Sequence, residues 1–247
     1  MKIILTGSTG TIGTEVLTQS INNPSLTEIV ILSRRPLPPT HPTSPKIKTI
    51  VISDFLSYPA QVLKELSGAE ACIWALGGIP SRFPDLATAR MVNIDYPLAA
   101  AKAFTETVAP GLGEGKKFRF LYVSGHAVDR DLSKQHRFFN DGIHIKACLP
   151  LPFIFRRGCG EIENKLVQLE ADNADKLSVY LPRPGSVIPP NNKLITVLVK
   201  LTTSFYPAMK GEEFAAAMID VAIRGADEQT LSHDVMQQKG RKALSAE

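Results

Sequence analysis

Short apolar runs alternate along the chain with longer segments in which apolar residues recur every three or four positions. The runs are typical of buried strands, and the spaced segments are typical of amphipathic helices. Six runs predict strands: KIILTG, EIVILS, IKTIVIS, AEACIWAL, KFRFLYVS and KLSVYLPRPG. Strands that alternate with helices form a parallel sheet covered on both faces. The pattern therefore predicts an α/β protein with a Rossmann-type, doubly wound parallel sheet.

Helices are predicted between these strands. The segment TIGTEVLTQSI follows the first strand, and an alanine-rich helix is expected at 85–108, before the fifth strand. Another helix is expected around FRRGCGEIENKL, residues 155–166, before the sixth strand. The stretch 126–152 is long for a connection, which is typical of a lid, a binding loop or a disordered segment.

The last quarter of the chain continues this pattern. Helices are predicted at LITVLVKLTTSFY and EEFAAAMIDVAI, followed by a short element at QTLSHDVM. The polar end QKGRKALSAE predicts a frayed terminus. Neither a repeat nor a linker divides residues 1–247, so we expect one domain whose small C-terminal section covers a substrate.

Composition limits the classes of partner. A content of 44% hydrophobic and 21% charged residues is ordinary for a globular protein. The net charge of +4 suits an anionic ligand but predicts no nucleic-acid partner without a concentrated basic patch. We expect no membrane span and no signal peptide, because apolar runs are short and the chain enters a strand at once. A cytoplasmic protein is therefore expected, and a homodimer is left open.

Cysteine usage argues against a disulfide framework and against a metal site. The three cysteines, Cys72, Cys148 and Cys159, are too few and too widely spaced for either. We therefore expect no metal cofactor.

A glycine-rich turn joins the first strand to the first helix. Glycine allows a tight turn and a close approach of phosphate to the backbone, and the helix behind it offers free amides and a positive dipole end. A purely structural turn without a ligand is the alternative. The residues predicted to bind a dinucleotide here are Gly7, Ser8, Thr9, Gly10, Thr11, Ile12 and Gly13.

The end of the second strand indicates which dinucleotide is bound. An acidic residue there would accept a hydrogen bond from the ribose 2′-hydroxyl of NAD. The chain has Ser33, Arg34 and Arg35 instead, and a guanidinium can bind a 2′-phosphate with two hydrogen bonds. We therefore predict NADP as the cofactor. The alternative is a pair of solvated surface arginines.

Two further strand ends are expected to contact this cofactor. Asp54 and Phe55 follow the third strand and could meet the adenine, although Asp54 equally fits a turn. Leu76, Gly77 and Gly78 follow the fourth strand, where small residues let the backbone run beside a ribose.

Six motifs together resemble a known family. In order along the chain they are TGSTGTIG, LSRRP, SDF, ALGG, YVSG and LPRPG. They resemble the atypical short-chain dehydrogenase/reductases, particularly the NAD(P)-binding proteins similar to the Tat-interacting protein oxidoreductases. The resemblance covers nearly the whole chain. It implies a Rossmann fold with NADP at the carboxyl edge of the sheet, and it adds Pro184 and Gly185 to the expected cofactor contacts.

The chain departs from this family where the catalytic pair is expected. The resemblance implies a serine after the fifth strand and a Tyr-x-x-x-Lys pair on the next helix. Ser124 matches the serine, but alignment through the following Gly-Glu places Phe155 at the tyrosine and Cys159 at the lysine. Phenylalanine has no proton to donate and a thiol carries no positive charge. We therefore do not expect standard carbonyl reduction by this pair.

Ser124 and His126 are the residues predicted to carry any proton transfer. Ser124 could bind a substrate oxygen, and the His126 imidazole titrates near neutral pH and could exchange a proton. The alternatives are a serine that caps a turn and an exposed loop histidine.

Three functions are compatible with these residues. The first is an NADP-dependent oxidoreductase with a non-standard active site, acting on a small substrate that the apolar segment LITVLVKLTTSFY suggests is hydrophobic. The second is a redox-neutral isomerase or cyclase on the same scaffold. The third is a non-catalytic regulatory protein that senses NADP. We favour an enzyme of the first kind.

Overall fold

Seven strands of the described part of the chain form one parallel sheet. The computed structural model describes residues 1–126, 128–131, 150–189 and 207–245, and only the backbone at residues 80 and 150–158. The strands are β1 (Lys2–Thr6), β2 (Glu28–Ser33), β3 (Ile47–Val51), β4 (Ala69–Trp74), β5 (Phe118–Tyr122), β6 (Leu177–Pro182) and β9 (Thr230–Leu231). Their order is β3-β2-β1-β4-β5-β6-β9, and every pair is parallel. A separate parallel pair consists of β7 (Ser186–Ile188) and β8 (Ala208–Lys210).

Helices cover both faces of the large sheet. They are α1 (Thr11–Asn22), α2 (Ala60–Leu66), α3 (Leu86–Arg90), α4 (Tyr96–Thr107), α5 (Pro150–Asp172), α6 (Gly211–Arg224) and α7 (His233–Ser245). A π-helical turn, Met91–Asp95, joins α3 and α4. Within the described stretches, every helix is too short or too polar to cross a lipid bilayer. The predicted fold class is confirmed.

The apolar core has two layers, one on each face of the sheet. Side chains of successive strand residues point to opposite faces. Ile4 therefore packs in the layer that contains Phe104 of α4, whereas Ile3 packs in the layer that contains Leu17 of α1 and Phe214 of α6. Because the central strands are buried on both faces, they appear in the sequence as continuous apolar runs.

The predicted fraying of the C-terminus was wrong, because α7 continues to Ser245. Two positions bury its inner face against α6. Met236 has no exposed surface, and a Cβ atom on Gly240 would lie 1.9 Å from the carbonyl oxygen of Glu213. In addition, Arg241 Nε donates to Glu213 Oε1 at 3.0 Å. Most residues of α7 are polar, so the few positions that pack against α6 did not stand out in the sequence. The segment LITVLVKLTTSFY and most of 126–152 lie outside the described residues.

Candidate active site

The strand order places a crevice at the carboxyl edge of the sheet. Strand β1 lies between β2 and β4, so the chain extends the sheet first to one side of β1 and then to the other. At such a switch point the connections leave in opposite directions and open a ligand-binding crevice. The segments after β1 to β6 all begin at this edge, and they carry the predicted site residues.

The glycine loop after β1 fits closely against its neighbours. Gly7 has a φ of 68°, and a Cβ atom there would lie 2.4 Å from the carbonyl oxygen of Ala75, just beyond β4. A Cβ atom on Gly13 would lie 2.1 Å from the carbonyl oxygen of Gly7. The Thr14 hydroxyl donates to the carbonyl oxygen of Ser8 at 2.8 Å. These contacts hold the start of α1 directly behind the loop.

The first turn of α1 is open to an anion. Its N-cap, Gly10, has no side chain with which to cap the free amides, and the turn contains no acidic residue. Thr9, Gly10 and Thr11 are exposed. Free amides and the positive end of the helix dipole make such a turn suitable for a phosphate group.

Two arginines follow β2, the strand that pairs with β1. Thr6 pairs with Leu32 in the parallel register, so Ser8 and Arg34 extend equally far beyond β1 and β2. Arg34 and Arg35 are exposed, and neither forms an ion pair within the described part of the chain. The Ser33 hydroxyl donates to the carbonyl oxygen of Arg35 at 2.7 Å and shapes the turn that carries them.

Asp54 and Phe55 have local roles in the structure. Asp54 Oδ1 accepts a hydrogen bond from the amide of Leu56 at 2.8 Å. Asp54 thus has the role in a turn that the sequence analysis gave as the alternative to a cofactor contact. The ring of Phe55 is 1% exposed and packs edge-on against Trp74, with 5.9 Å between ring centroids. Because this ring is buried, a contact of Phe55 with the adenine would run through its main chain, and that contact stays a prediction.

Asn93, which the sequence analysis missed, fixes the loop after β4. Asn93 Nδ2 donates to the carbonyl oxygen of Gly78, and its Oδ1 accepts from the Gly78 amide, both at 3.0 Å. Asn93 is 8% exposed and lies in the π-helical turn. A Cβ atom on Gly77 would lie 2.9 Å from Asn93 Oδ1, so a side chain there would displace the Asn93 amide. The only sign of this role in the sequence was an amide side chain within the mainly apolar stretch MVNID.

Ser124 donates its proton to a buried carboxylate. Its Oγ lies 2.6 Å from Oε1 of Glu163, a residue of α5 with no exposed surface. Arg183 also donates to both oxygens of Glu163, and Arg130 Nε donates to Oε2 at 2.8 Å. In this arrangement Ser124 can offer a substrate a lone pair but not its hydrogen. Sequence reasoning missed all three of these charged residues.

Two histidines lie close together, His126 beyond the end of β5 and His233 beyond the end of β9. The exposed His126 donates its main-chain N–H to the carbonyl oxygen of Pro184 at 2.8 Å. The ring of His233 lies edge-on to that of His126, with centroids 6.2 Å apart. His233 is 4% exposed, and its Nδ1 accepts from the amide of Gly185 at 3.0 Å. An accepting Nδ1 carries no proton, so this bond requires a neutral His233.

We expect His233 to make the protein less stable in acid. Burial lowers the pKa of His233 below its ordinary 6.5, so between the two values the unfolded chain binds a proton that the folded chain does not. The free energy of unfolding should therefore fall as the pH drops below about 6.5, by at most about 1.4 kcal/mol per pH unit. His233→Asn keeps an acceptor for Gly185 and should reduce this slope in urea unfolding. Parallel pH curves for the two proteins would contradict this expectation.

Cys159 lies in the core and has no place in catalysis as a nucleophile. It is 1% exposed, and burial raises the pKa of its thiol to about 12. Its neighbour Tyr122 donates its hydroxyl to the carbonyl oxygen of Asn93 at 3.2 Å. The helix backbone includes Phe155, whose side chain lies outside the described residues. At the expected lysine position the protein thus presents a buried neutral group.

One sequence relative is informative. Leucinostatins biosynthesis cluster protein T of Purpureocillium lilacinum is 32% identical over 183 residues, which cover 72% of this chain and 56% of that protein. The chain therefore spans little more than half the length of this relative. No family model matches the sequence.

Solved structures share the fold across almost the whole chain. Yeast methylglyoxal/isovaleraldehyde reductase complexed with NADPH has a TM-score of 0.67 at 13% identity, over 94% of this chain and 77% of that one. UDP-glucuronic acid 4-epimerase from Bacillus cereus, complexed with UDP-glucuronic acid and NAD, has a TM-score of 0.63 at 14% identity, with the same shares. Vestitone reductase from alfalfa has a TM-score of 0.61 at 14% identity, over 94% and 76% of the two chains.

Proposed function

We propose that this chain, which has the fold of the short-chain dehydrogenase/reductases and resembles their atypical members, binds NADP at the carboxyl edge of its sheet. One observation carries the proposal: Ser8, in the loop that leads into the open first turn of α1, lies level with Arg34, and neither Arg34 nor Arg35 has an acidic partner among the described residues. A dinucleotide whose pyrophosphate bound this turn would have two cations near its adenosine end that form no ion pair with any described residue.

The residues at this edge fit a dinucleotide with a 2′-phosphate. A Cβ atom on Gly7 would overlap the backbone at Ala75, and one on Gly13 would overlap the backbone of the glycine loop itself. Glycine at these positions is what a tight turn with a close phosphate contact requires. Ser33 takes the place of the acid that favours NAD, and Arg34 can bind the 2′-phosphate through its planar fork of donors. These features support NADP over NAD.

We expect calorimetric titration to show tighter binding of NADP(H) than of NAD(H). Arg34→Ala should weaken NADP(H) by about 1–3 kcal/mol through the loss of a charge-assisted hydrogen bond, with little effect on NAD(H). Arg224→Ala is the matched control, because that arginine is exposed on α6 and pairs with Asp220. Tighter binding of NAD(H) by the wild type would refute the cofactor assignment.

The proposal extends to catalysis on a small, hydrophobic substrate. When bound, NADP(H) supplies hydride chemistry, and the protein positions the reactants and moves a proton. His126 suits this second task, because it is exposed at the end of β5 and its main chain is anchored to Pro184. The name of the relative from Purpureocillium lilacinum supports a biosynthetic enzyme over a sensor.

A redox-neutral isomerase or cyclase is the second candidate. The buried neutral Cys159 favours it, since a thiol in this position can neither hold a ribose as a cation nor lower the pKa of a neighbouring acid. Product formation without net change in the nucleotide would identify this class. Stoichiometric oxidation of NADPH would identify an oxidoreductase.

With a turned-over substrate in hand, His126→Ala should lower kcat at least about tenfold, because a positioned acid or base typically contributes about 10²–10⁴-fold. The affinity for NADP should stay nearly unchanged. Ser124→Ala should lower kcat as well, and the double variant should lose less than the product of the two single effects. A kcat of His126→Ala equal to that of the wild type across the pH range would remove this histidine from the mechanism.

A further inference from the structure

A proline-rich loop follows the arginine pair. Residues 34–45, RRPLPPTHPTSP, contain five prolines, and each proline fixes one backbone angle. We call this segment the proline loop. Its end is tied to α1 by Lys46, whose Nζ donates to the carbonyl oxygens of Ile21 and Asn23 at 2.8 and 2.9 Å. Leu37 packs against the apolar layer on the α1 face of the sheet.

His41 connects the proline loop to the glycine loop. Its Nε2 lies 2.9 Å from the carbonyl oxygen of Ser8. A carbonyl oxygen can only accept, so Nε2 carries the hydrogen and donates it. The His41 amide in turn donates to the carbonyl oxygen of Pro38 at 2.9 Å, which fixes the turn that presents the ring.

This hydrogen bond links the loop that follows β2 to the loop that follows β1. Ser8 and Arg34 lie two residues beyond the paired Thr6 and Leu32, so they leave the sheet at the same level. The proline loop leaves β2 at Arg34 and returns to the glycine loop at His41. The two arginines therefore lie in a segment that is held at two points. One point is the end of β2, and the other is the hydrogen bond from His41 to the glycine loop.

We propose that His41 is a positioning residue for cofactor selectivity, and this inference rests on the proposed binding of NADP. By donating to the Ser8 carbonyl, His41 holds the proline loop so that Arg34 and Arg35 stay beside the 2′-phosphate of a nucleotide on α1. A loop that is ordered before binding does not lose that conformational freedom when the phosphate arrives. NAD has no 2′-phosphate, so its affinity depends little on this bond.

The test compares two substitutions at one position. His41→Ala removes the donor and should weaken NADP(H) about fivefold, the range expected of one hydrogen bond, while NAD(H) changes less than about twofold. His41→Gln places an amide donor within reach of the Ser8 carbonyl and should restore NADP(H) affinity to within about twofold of the wild type. Calorimetric titration of both nucleotides with each variant gives the ratio of the affinity for NADP(H) to that for NAD(H), which tests the effect of His41 on selectivity.

The attachment of the proline loop to the glycine loop can be measured by proteolysis in the protein without nucleotide. Trypsin can cut between Arg34 and Arg35, whereas the bond from Arg35 to Pro36 is protected by the proline. His41→Ala should be cut at this bond faster than the wild type, and His41→Gln at a rate close to the wild type. Equal rates for all three proteins would overturn the attachment itself.

The outcomes separate this inference from the proposed function. If the wild type does not prefer NADP(H), both fail. If Arg34→Ala abolishes the preference but His41→Ala retains it, the inference about His41 alone fails. If His41→Gln is as weak as His41→Ala, the hydrogen bond to Ser8 is not the cause and the inference again fails.

Discussion

Glu163→Ala should lower the free energy of unfolding by about 3–5 kcal/mol, the usual cost of removing one partner from a buried ion pair. Glu163 has no exposed surface and accepts hydrogen bonds from Ser124, Arg130 and Arg183. Without it, two guanidinium groups would lose their countercharge. Urea unfolding at neutral pH measures the difference.

Glu161→Ala is the matched control for this substitution. Glu161 lies two residues earlier on α5, and its side chain is 25% exposed in ion pairs with Arg90 and Lys165. Such pairs contribute about 1 kcal/mol or less. If Glu163→Ala is too unstable to purify, Glu163→Gln keeps the shape and loses the charge, and should still be less stable than Glu161→Ala. Equal losses at 161 and 163 would contradict the structural role of Glu163.

Gly13→Ala should impair both folding and nucleotide binding. At an exposed helix position this substitution stabilises a protein by up to about 1 kcal/mol, because alanine is the better helix former. Here the new methyl group would lie 2.1 Å from the carbonyl oxygen of Gly7 and 2.9 Å from the Cα atom of Ser8, so α1 or the loop must move. Overpacking of this kind costs about 1–3 kcal/mol, and the displaced loop should bind NADP at least about tenfold more weakly.

Gly111→Ala is the control for added volume, because the nearest described atom outside its own turn, the Ser67 hydroxyl oxygen, would lie 3.9 Å from the new Cβ atom. Thermal unfolding and calorimetric titration of both variants test the expectation. A Gly13→Ala protein with wild-type affinity for NADP would show that the loop tolerates displacement and that its close packing is not required for binding.

The sheet and the glycine loop were predictable because their signals are local. Each central strand is buried on both faces along most of its length, so it appears as a short run of mainly apolar residues, and the turn after β1 has its glycines within seven consecutive residues. The buried charges were not predictable in this way. Glu163 lies in a helix with lysine and asparagine beside it, which is typical of an exposed face, and its partners Arg130 and Arg183 are 33 and 20 residues away.

Individual side chains at the site depended on packing that the sequence does not reveal. The motif SDF marked Phe55 as a cofactor contact, but aromatic neighbours from β4 and α4 bury its ring. His233 follows a two-residue strand late in the chain, and only the folded sheet brings it to Gly185. The position of the Asn93 side chain depends on the π-helical turn, which the spacing of apolar residues does not predict.

A crystal structure of the complex with NADP tests the central claim most directly. We expect the pyrophosphate at the first turn of α1, the 2′-phosphate against Arg34 and Arg35, and the nicotinamide at the ends of β5 and β6, nearer to His126 than to Cys159. A 2′-phosphate that points away from both arginines into solvent would contradict the proposed selectivity. A nucleotide bound elsewhere, or no binding at saturating NADP, would contradict the site itself.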